Sequence, residues 1–469
     1  MTGRQEPVVI VGGGITGLAA ALRLADADVP FVLYESQHQL GGKIATERVD
    51  GYVVEGGPDC MLAAKPAGVA FCRSLGIEDR LRGTNPAFRR TYVQRRGRLH
   101  ELPQGLTGLV PSRVGPLLKT RILSPLGRVR AGLEAVIPAR KATDEESIAQ
   151  FVTRRFGREA YDWLVEPLLS GIYAGDGERL SLAATFPQLV DLERTHGSVV
   201  RSMLRRRLQN GRSGTQTPTG FVTPAGGLGE LVEAATQRLP PESIRCGVTV
   251  NTVSIHDDGY TVRLASGERL TAPAVILAAP AFASARLLEA LDPGLSSELA
   301  AVPFVSTATV SLGFPAAAVP ARCRLDGYGY VSPRAEGSPV VACTWTSNKF
   351  PDRVPADGVL IRFFIGREGQ EEIVTRSDEA LVGLARTELA RLFGIVSEPR
   401  LARVFRWPRG VPQYVIGHQA RVARITRLTR RHPGLHLAGA SYEGVGIPDC
   451  IASGQRAAEA ALARLGVMA

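Results

Sequence analysis

The residues most able to do chemistry in this chain are glycines, and they gather near its two ends. Val8-Val-Ile-Val11 is a short apolar run that leads straight into Gly12-Gly13-Gly14-Ile15-Thr16-Gly17. An Ala- and Leu-rich run then continues to about Ala25. In a strand–turn–helix of this kind the first glycine makes the tight turn and the second lets a pyrophosphate approach. The third lets helix and strand pack closely. A lone pattern of this sort is weak. Here the next apolar run, Pro30-Phe-Val-Leu-Tyr34, ends in Glu35-Ser36, about 20 residues on, where a carboxylate grips a ribose hydroxyl. Strand, glycine turn, helix, strand and acid fall in order, and they predict dinucleotide binding.

The far end carries Gly439-Ala-Ser-Tyr-Glu-Gly-Val-Gly-Ile-Pro-Asp-Cys-Ile-Ala-Ser-Gly454 between a strand-like run, Leu435–Ala438, and a helical one, Gln455–Leu465. Glycines there let backbone approach a ligand, and the helix start offers free N–H groups. Alone, the loop reads equally as a plain connection. Leu40-Gly41-Gly42-Lys43 and Gly56-Gly57-Pro58-Asp59 add glycine pairs that bring backbone and one basic side chain to a bulky cofactor. No second glycine fingerprint follows a strand, so no separate nicotinamide site is apparent. The single dinucleotide is then expected to be FAD, held as a fixed redox group.

The remaining reactive side chains exclude other chemistries. Cys60, Cys72, Cys246, Cys323, Cys343 and Cys450 are scattered with no Cys-x-x-Cys, which argues against an iron–sulfur cluster or redox dithiol. Reduced thiols of a cytosolic protein are the plainer account. The seven histidines lack metal-ligand spacing, and no metal is expected.

The elements that must position these residues come from separated stretches. Segments 1–86, 213–286 and 403–469 are expected to build one FAD-binding domain. The middle segment predicts a helix over Gly229–Arg238 and strands over Val248–Ile255, Tyr260–Leu264 and Ala274–Ala279. Residues 87–212 read as a mostly helical excursion. Residues 287–402 read as an α+β excursion with strands over Thr307–Phe314, Val340–Thr346 and Val359–Ile365 and a helix over Asp378–Phe393. The fold class is therefore α/β plus α+β: a Rossmann-like FAD-binding domain, a mixed-sheet substrate domain and a helical excursion. A chain of 469 residues, 44% hydrophobic and 22% charged, suits such a multidomain globular protein.

The formal net charge of +11 favours an anionic partner. Pro111–Lys141 holds Arg113, Lys119, Arg121, Arg128, Arg130, Arg140 and Lys141 against one acid, Glu134, with interleaved apolar residues. Such a segment can lie on an anionic membrane. A solvated face over a small helical core is the plainer reading. Arg201, Arg205, Arg206, Arg207 and Arg212 form a second basic cluster, and Gly211–Gly220 reads as a mobile loop. The dinucleotide strand starts at Val8, which leaves no room for a leader, and the longest uncharged run, Leu270–Ala285, is broken by prolines and too short to span a bilayer. The expected location is cytoplasmic, soluble or peripheral at the inner face of the cell membrane.

Taken together, Gly12–Gly17, Leu40–Lys43, Gly56–Asp59 and Gly439–Gly454 resemble the amine-oxidase/protoporphyrinogen-oxidase group of flavoproteins. Glu166-Pro-Leu-Leu-Ser-Gly-Ile-Tyr-Ala-Gly-Asp176, Leu180-Ser-Leu182, Thr185-Phe-Pro187, Arg406-Trp-Pro408 and Pro412-Gln-Tyr414 are similar to its bacterial porphyrinogen oxidases. The resemblance covers nearly the whole chain. Gly446-Ile-Pro-Asp-Cys450 resembles the Gram-positive type, associated with oxidation of coproporphyrinogen III to coproporphyrin III in heme biosynthesis. Lys43 departs from the Arg of many relatives, which keeps the charge and loses a bidentate fork.

The resemblance implies FAD contacts. Gly12, Gly13, Gly14, Ile15, Thr16 and Gly17 would serve the pyrophosphate, and Glu35 with Ser36 the adenosine ribose. Gly42, Lys43, Gly56, Gly57, Pro58 and Asp59 would lie along the ribityl and flavin. Val250 would meet the adenine, and Trp407, Gly439, Val445, Gly446, Ile447, Pro448 and Asp449 would flank the isoalloxazine. Gly171, Ile172 and Tyr173 would line the porphyrinogen pocket, with Arg89 or Arg90 on a propionate. The implied partners are the porphyrinogen, oxygen as acceptor with hydrogen peroxide formed, the next enzyme of heme synthesis and a peripheral membrane contact. Nucleic acid is excluded, because no recognition motif accompanies the charge.

The implied reaction moves hydride from a meso carbon to the flavin three times, with ring N–H protons leaving in between. No histidine falls in the resembling pocket segments, so the catalytic base is unknown, and backbone carbonyls near Gly171 are one expectation. The charge and the Arg-rich excursion favour the tetra-acid coproporphyrinogen over protoporphyrinogen IX. An amine oxidase or carotenoid desaturase shares the FAD motifs but should lack the Ser170–Gly175 stretch. A non-catalytic relative that binds a prenylated protein should carry degraded glycines, and here they are intact.

Overall fold

The computed structural model describes residues 6–103, 106–107, 110–111, 120–140, 144–202, 205, 220–320, 323 and 325–467. Arg113, Lys119, Lys141, Arg206, Arg207, Arg212 and all of the 211–220 loop except Gly220 lie outside the described residues.

A parallel sheet of five short strands receives the glycine turn. Its order is Ile244–Cys246, Phe31–Glu35, Val8–Val11, Val275–Leu277, Leu435–Leu437. All four residues of Val8–Val11 are buried, as a strand covered on both faces requires. The chain order reverses on either side of this central strand. That makes it the switch point, where α/β sheets bind ligands beyond the carboxyl ends of their strands.

Two helices cover the switch point, Ile15–Ala25 and Ile447–Arg464. They approach closely because small residues face each other. A Cβ on Gly454 would stand 2.1 Å from the Thr16 carbonyl oxygen across the helix pair, and one on Gly17 would stand 1.9 Å from the Gly12 carbonyl oxygen where the first helix packs on its own glycine turn. Neither contact is physically tolerable. Leu18, Ala19, Ile451, Ala458 and Ala461 fill the shared core.

The second sheet has seven strands in the order Leu401–Pro412, Phe304–Pro315, Gly358–Ile365, Val340–Trp345, Gly329–Val331, Thr91–Arg95, Arg98–Glu101. It is mixed, since Gly329–Val331 pairs parallel with Thr91–Arg95 and the other neighbours are antiparallel. The helix Asp378–Phe393 packs Leu381, Ala385 and Leu389 into the core beside it, with Trp345 and Phe363.

Two expected boundaries move. The segment given to the FAD-binding domain from residue 403 spends its first part, Leu401–Pro412, as an edge strand of the seven-stranded sheet. Arg403, Arg406, Pro408 and Arg409 disguise it, since edges tolerate charge and proline. The excursion from residue 87 begins with the two strands Thr91–Arg95 and Arg98–Glu101 before its helices.

That helical part is centred on a buried ion network. Arg155 and Glu134 are both fully buried. The Arg155 guanidinium donates to Glu134 through two nitrogens, while Glu134 also accepts from the Ser198 hydroxyl at 2.6 Å and from the Val199 and Val200 amides. Saturated bonding of this kind is what makes a buried charge tolerable. The network holds the bundle from which the helix Glu166–Tyr173 reaches back toward the seven-stranded sheet. Among the described residues, no helix is long and apolar enough to cross a membrane.

Candidate functional site

A single cavity of about 790 Å³ runs from the carboxyl ends of the parallel strands to the face of the seven-stranded sheet. Its first half is walled by Val11, Gly12, Gly14, Ile15, Thr16, Glu35, Ser36, Val250 and Gly439. Its second half is walled by Gly42, Lys43, Gly57, Pro58, Gly171, Ile172, Thr309, Phe364, Trp407, Val445, Gly446 and Ile447.

The first half fits a dinucleotide. Glu35 is nearly buried at the end of its strand. One carboxylate oxygen accepts from the Gly13 amide at 2.7 Å and the other from the Gln37 amide at 2.8 Å and the Ser36 hydroxyl at 3.1 Å. A carboxylate has about four acceptor sites, so capacity remains for sugar hydroxyls. A Cβ on Gly14 would meet no protein atom within 4 Å, although Gly14 lines the cavity. The space above it is shaped for something other than protein. Gly13 and Gly17 lie behind this wall, serving Glu35 and the helix contact.

The second half is built on a pinned turn. The Gly56 carbonyl accepts from Thr309 Oγ1 at 2.9 Å, Trp407 Nε1 at 2.9 Å and Arg362 Nη2 at 3.1 Å. Arg362 also donates to the Gly57 carbonyl and lies 4.7 Å from the Phe364 ring centre. Lys43 is exposed to the cavity, and the protein that crowds around the cavity holds its pKa below the ordinary lysine value. Among the described residues Lys43 forms no ion pair with a carboxylate, and a cation so placed suits an electron-rich ligand.

Asp59 lies behind Pro58, outside the cavity wall. Lys349 Nζ donates to its two oxygens at 2.8 and 3.1 Å, and the Cys60 thiol donates to it at 2.8 Å. Burial disfavours the Asp59 charge, yet Lys349 and Arg362 outweigh it and hold the carboxyl well below its usual range. Burial, with the Asp59 charge beside it, pushes the Cys60 thiol up to about 12. Asp59 is thus a fixed anion.

The loop from Gly439 closes the cavity. The Tyr414 hydroxyl donates to the Ala440 carbonyl at 2.7 Å, and the Ser441 hydroxyl accepts from the Ala281 amide at 3.0 Å. Pro448 and Asp449 do not line the cavity: Asp449 accepts from the Gly446 amide at 3.2 Å and pairs with Lys65 at 2.6 Å, fixing the start of the helix.

At the far end, Gly171 and Ile172 line the cavity, while Tyr173 turns away and packs edge-on against Phe186. Burial pushes its phenol up to about 12. Arg89 and Arg90 are exposed and line no part of the cavity. Arg90 is paired with Asp326 at 3.0 Å. The sequence reading missed Ser170, Thr309, Lys349, Phe364 and Arg362. For Arg362 a signal existed: a lone arginine inside the apolar run Gly358-Val-Leu-Ile-Arg-Phe-Phe-Ile365.

The chain is similar to known proteins over nearly its whole length. The chain is 37% identical to the coproporphyrinogen III oxidase of Bacillus subtilis (strain 168), over 99% of this chain and 100% of that protein. It is 33% identical to the coproporphyrinogen III oxidase of Propionibacterium freudenreichii subsp. freudenreichii, over 96% of this chain and 90% of the relative. A crystal structure from an Exiguobacterium species superposes with a TM-score of 0.87 at 31% identity, covering 99% of each chain. The family model of flavin containing amine oxidoreductases matches residues 15–462, a span that includes the lining residues of both halves of the cavity other than Val11, Gly12 and Gly14. The family match covers most of the chain, and the chain belongs to the flavin containing amine oxidoreductase family.

Proposed function

We propose that this protein is an FAD-dependent oxidase that converts coproporphyrinogen III to coproporphyrin III, with oxygen as acceptor and hydrogen peroxide as product. The observation that carries this reading is the continuity of the cavity from Glu35 to Gly171 and Ile172, in a chain alike over its full length to proteins named for that reaction. Gly12, Gly14, Ile15 and Thr16 would face the pyrophosphate, Glu35 the ribose and Val250 the adenine. Gly42, Lys43, Gly57 and Pro58 would run along the ribityl chain, with Trp407, Val445, Gly446 and Ile447 at the ring. FAD bound there supplies a two-electron acceptor for hydride from carbon. The protein's share is to position the substrate beside the ring and keep water out, which Phe364, Val341, Ile172 and Trp407 would do with apolar surface.

The product would pass to the next enzyme of heme synthesis. Peripheral membrane contact also belongs to this reading. Leu126, Val129, Leu133 and Val136 are 83%, 62%, 48% and 68% exposed along one helical stretch, Pro125–Val136. The test is turnover of coproporphyrinogen III and protoporphyrinogen IX, followed by porphyrin fluorescence and peroxide release. Coproporphyrinogen should react faster, with three peroxides per porphyrin. Faster use of protoporphyrinogen would overturn the choice of substrate.

A further inference from the structure

Two carboxylates stand just behind the wall of the substrate chamber, and they differ in kind. Asp59 is held ionised by Lys349 and Arg362. Glu166 begins the helix Glu166–Tyr173, whose later residues Ser170 and Gly171 line the chamber. The Ser170 hydroxyl donates to Glu166 Oε1 at 2.7 Å, with both residues buried. A hydroxyl has one hydrogen and two lone pairs. Because that hydrogen is committed to Glu166, Ser170 can only accept from a further neighbour. A ligand beside it must bring a donor, and the ring N–H groups of a porphyrinogen are such donors.

The surroundings of Glu166 suit a carboxyl that changes protonation. Burial raises its pKa, opposed by the Ser170 hydrogen bond, the Arg334 amide at 3.0 Å from Oε2, and the guanidinium charges of Arg367 and Arg334 at 3.9 and 3.4 Å from Oε1. Tyr161, in the preceding turn, is the other titratable neighbour, and burial keeps its phenol protonated.

We propose that Ser170 and Glu166 form a relay that removes the ring N–H proton of the porphyrinogen at each two-electron step. The proposal rests on the function proposed above. At each step one meso C–H bond breaks and its hydrogen leaves as hydride to the flavin. One ring N–H bond breaks and its electron pair stays in the ring as a new double bond; over the three steps one meso hydrogen also shifts to a ring nitrogen by tautomerisation, so that the porphyrin has lost four meso and two N–H hydrogens in all. The released proton passes to Ser170 Oγ as Ser170's own proton passes to Glu166. The substrate loses two electrons and the flavin gains them. Hydride and proton together then reduce one oxygen molecule to one hydrogen peroxide, which returns Glu166 to its charged form. Ser170 is the residue in contact with substrate, and Glu166 is a positioning residue that acts through it.

The experiment is anaerobic flavin reduction by coproporphyrinogen III in stopped flow across a pH range. Glu166→Gln keeps the hydrogen bond and removes the acceptor, so reduction should slow roughly 100-fold, the usual scale for loss of a general base. The acidic limb of the pH profile should disappear. Ser170→Ala should slow reduction similarly, and Ser170→Thr should recover most of it. FAD content should stay at the wild-type level in each. A second measurement needs no substrate: infrared difference spectra of the holoenzyme should show a protonated carboxyl titrating above the usual glutamate range, absent in Glu166→Gln. A Glu166→Gln protein with normal FAD content, normal reduction rate and an unchanged pH profile overturns the relay, as does absence of the carboxyl band in the wild type. Wild-type protein reduced by no porphyrinogen overturns the proposed function instead, and is recognised before any substitution is made.

Discussion

At the scale of single residues, the second half of the cavity depends on charges that are buried yet satisfied. Lys349 and Asp59 show this most clearly, with side chains 13% and 14% exposed. The Asp59 pKa is depressed in the folded state, so its contribution is present above the ordinary carboxylate value and is lost as pH falls through the folded value. Lys349→Met reverses the balance. Burial then dominates, the Asp59 pKa rises, and at pH 7 an anion is left short of its main partner. Breaking a buried pair on one side costs about 3–5 kcal/mol, and the residual exposure favours the lower figure. The gap to wild type should narrow as pH falls toward about 4, where Asp59 takes up a proton in the variant. Thermal unfolding at both pH values measures this, and Lys349→Met/Asp59→Asn should regain most of the loss at pH 7. An equal gap at both pH values would show that Asp59 is not the cause. None of this pairing was legible in the sequence, because Asp59 sits in a loop and Lys349 at the end of the short helix Thr346–Lys349, far apart along the chain.

At the scale of elements, the glycine turn serves two tasks that substitution can separate. Gly17 serves packing, and its Cβ would collide with the Gly12 carbonyl. Gly14 serves the ligand, and its Cβ would project into open space. Gly17→Ala should therefore lower the melting temperature even of flavin-free protein, since overpacking costs about 1–3 kcal/mol. Gly14→Ala should leave that temperature unchanged and weaken FAD binding at least about tenfold, or roughly 1.4 kcal/mol. Melting curves of the apoprotein and FAD titration by fluorescence separate the two effects. Equal losses of apoprotein stability would refute the division. The turn was legible because its chemistry is local: strand, glycines, helix and acid follow one another along the chain. The helices Gly229–Arg238 and Asp378–Phe393 were legible for the same reason, their periodicity and ends being written in consecutive residues. The edge strand Leu401–Pro412 was not, because its partner Phe304–Pro315 supplies the pairing that its arginines and prolines conceal. Tyr173 was misplaced for a related reason. Ser170, Gly171, Ile172 and Ala174 all line the chamber, while the Tyr173 ring is taken up by its packing against Phe186.

At the scale of the whole molecule, the formal charge of +11 invited a broadly basic membrane face, and the structure narrows it. Arg130 turns inward to the carbonyls of Thr153, Arg154 and Arg155, and Arg140 pairs with Asp144. Arg121 and Arg128 pair with no acid among the described residues, whereas the apolar stripe of Leu126, Val129, Leu133 and Val136 is openly exposed. Contact with a bilayer should therefore be driven by apolar insertion, with charge as a smaller term. Fully burying a Leu or Val is worth about 1.5–3 kcal/mol, and one arginine near an anionic surface about 1 kcal/mol. Leu126→Asp/Val129→Asp should then lower partition onto phosphatidylcholine–phosphatidylglycerol vesicles roughly 100-fold. Arg128→Gln should lower it only about fivefold, and only where phosphatidylglycerol is present. Cosedimentation at fixed lipid reads both, and turnover in detergent-free buffer should be unchanged, since neither position lines the cavity. A larger loss from Arg128→Gln than from the apolar pair would make the contact electrostatic. Failure of the wild type to sediment with either vesicle would leave the stripe without a lipid role and reduce the positive charge to a means of drawing in a tetra-acid substrate.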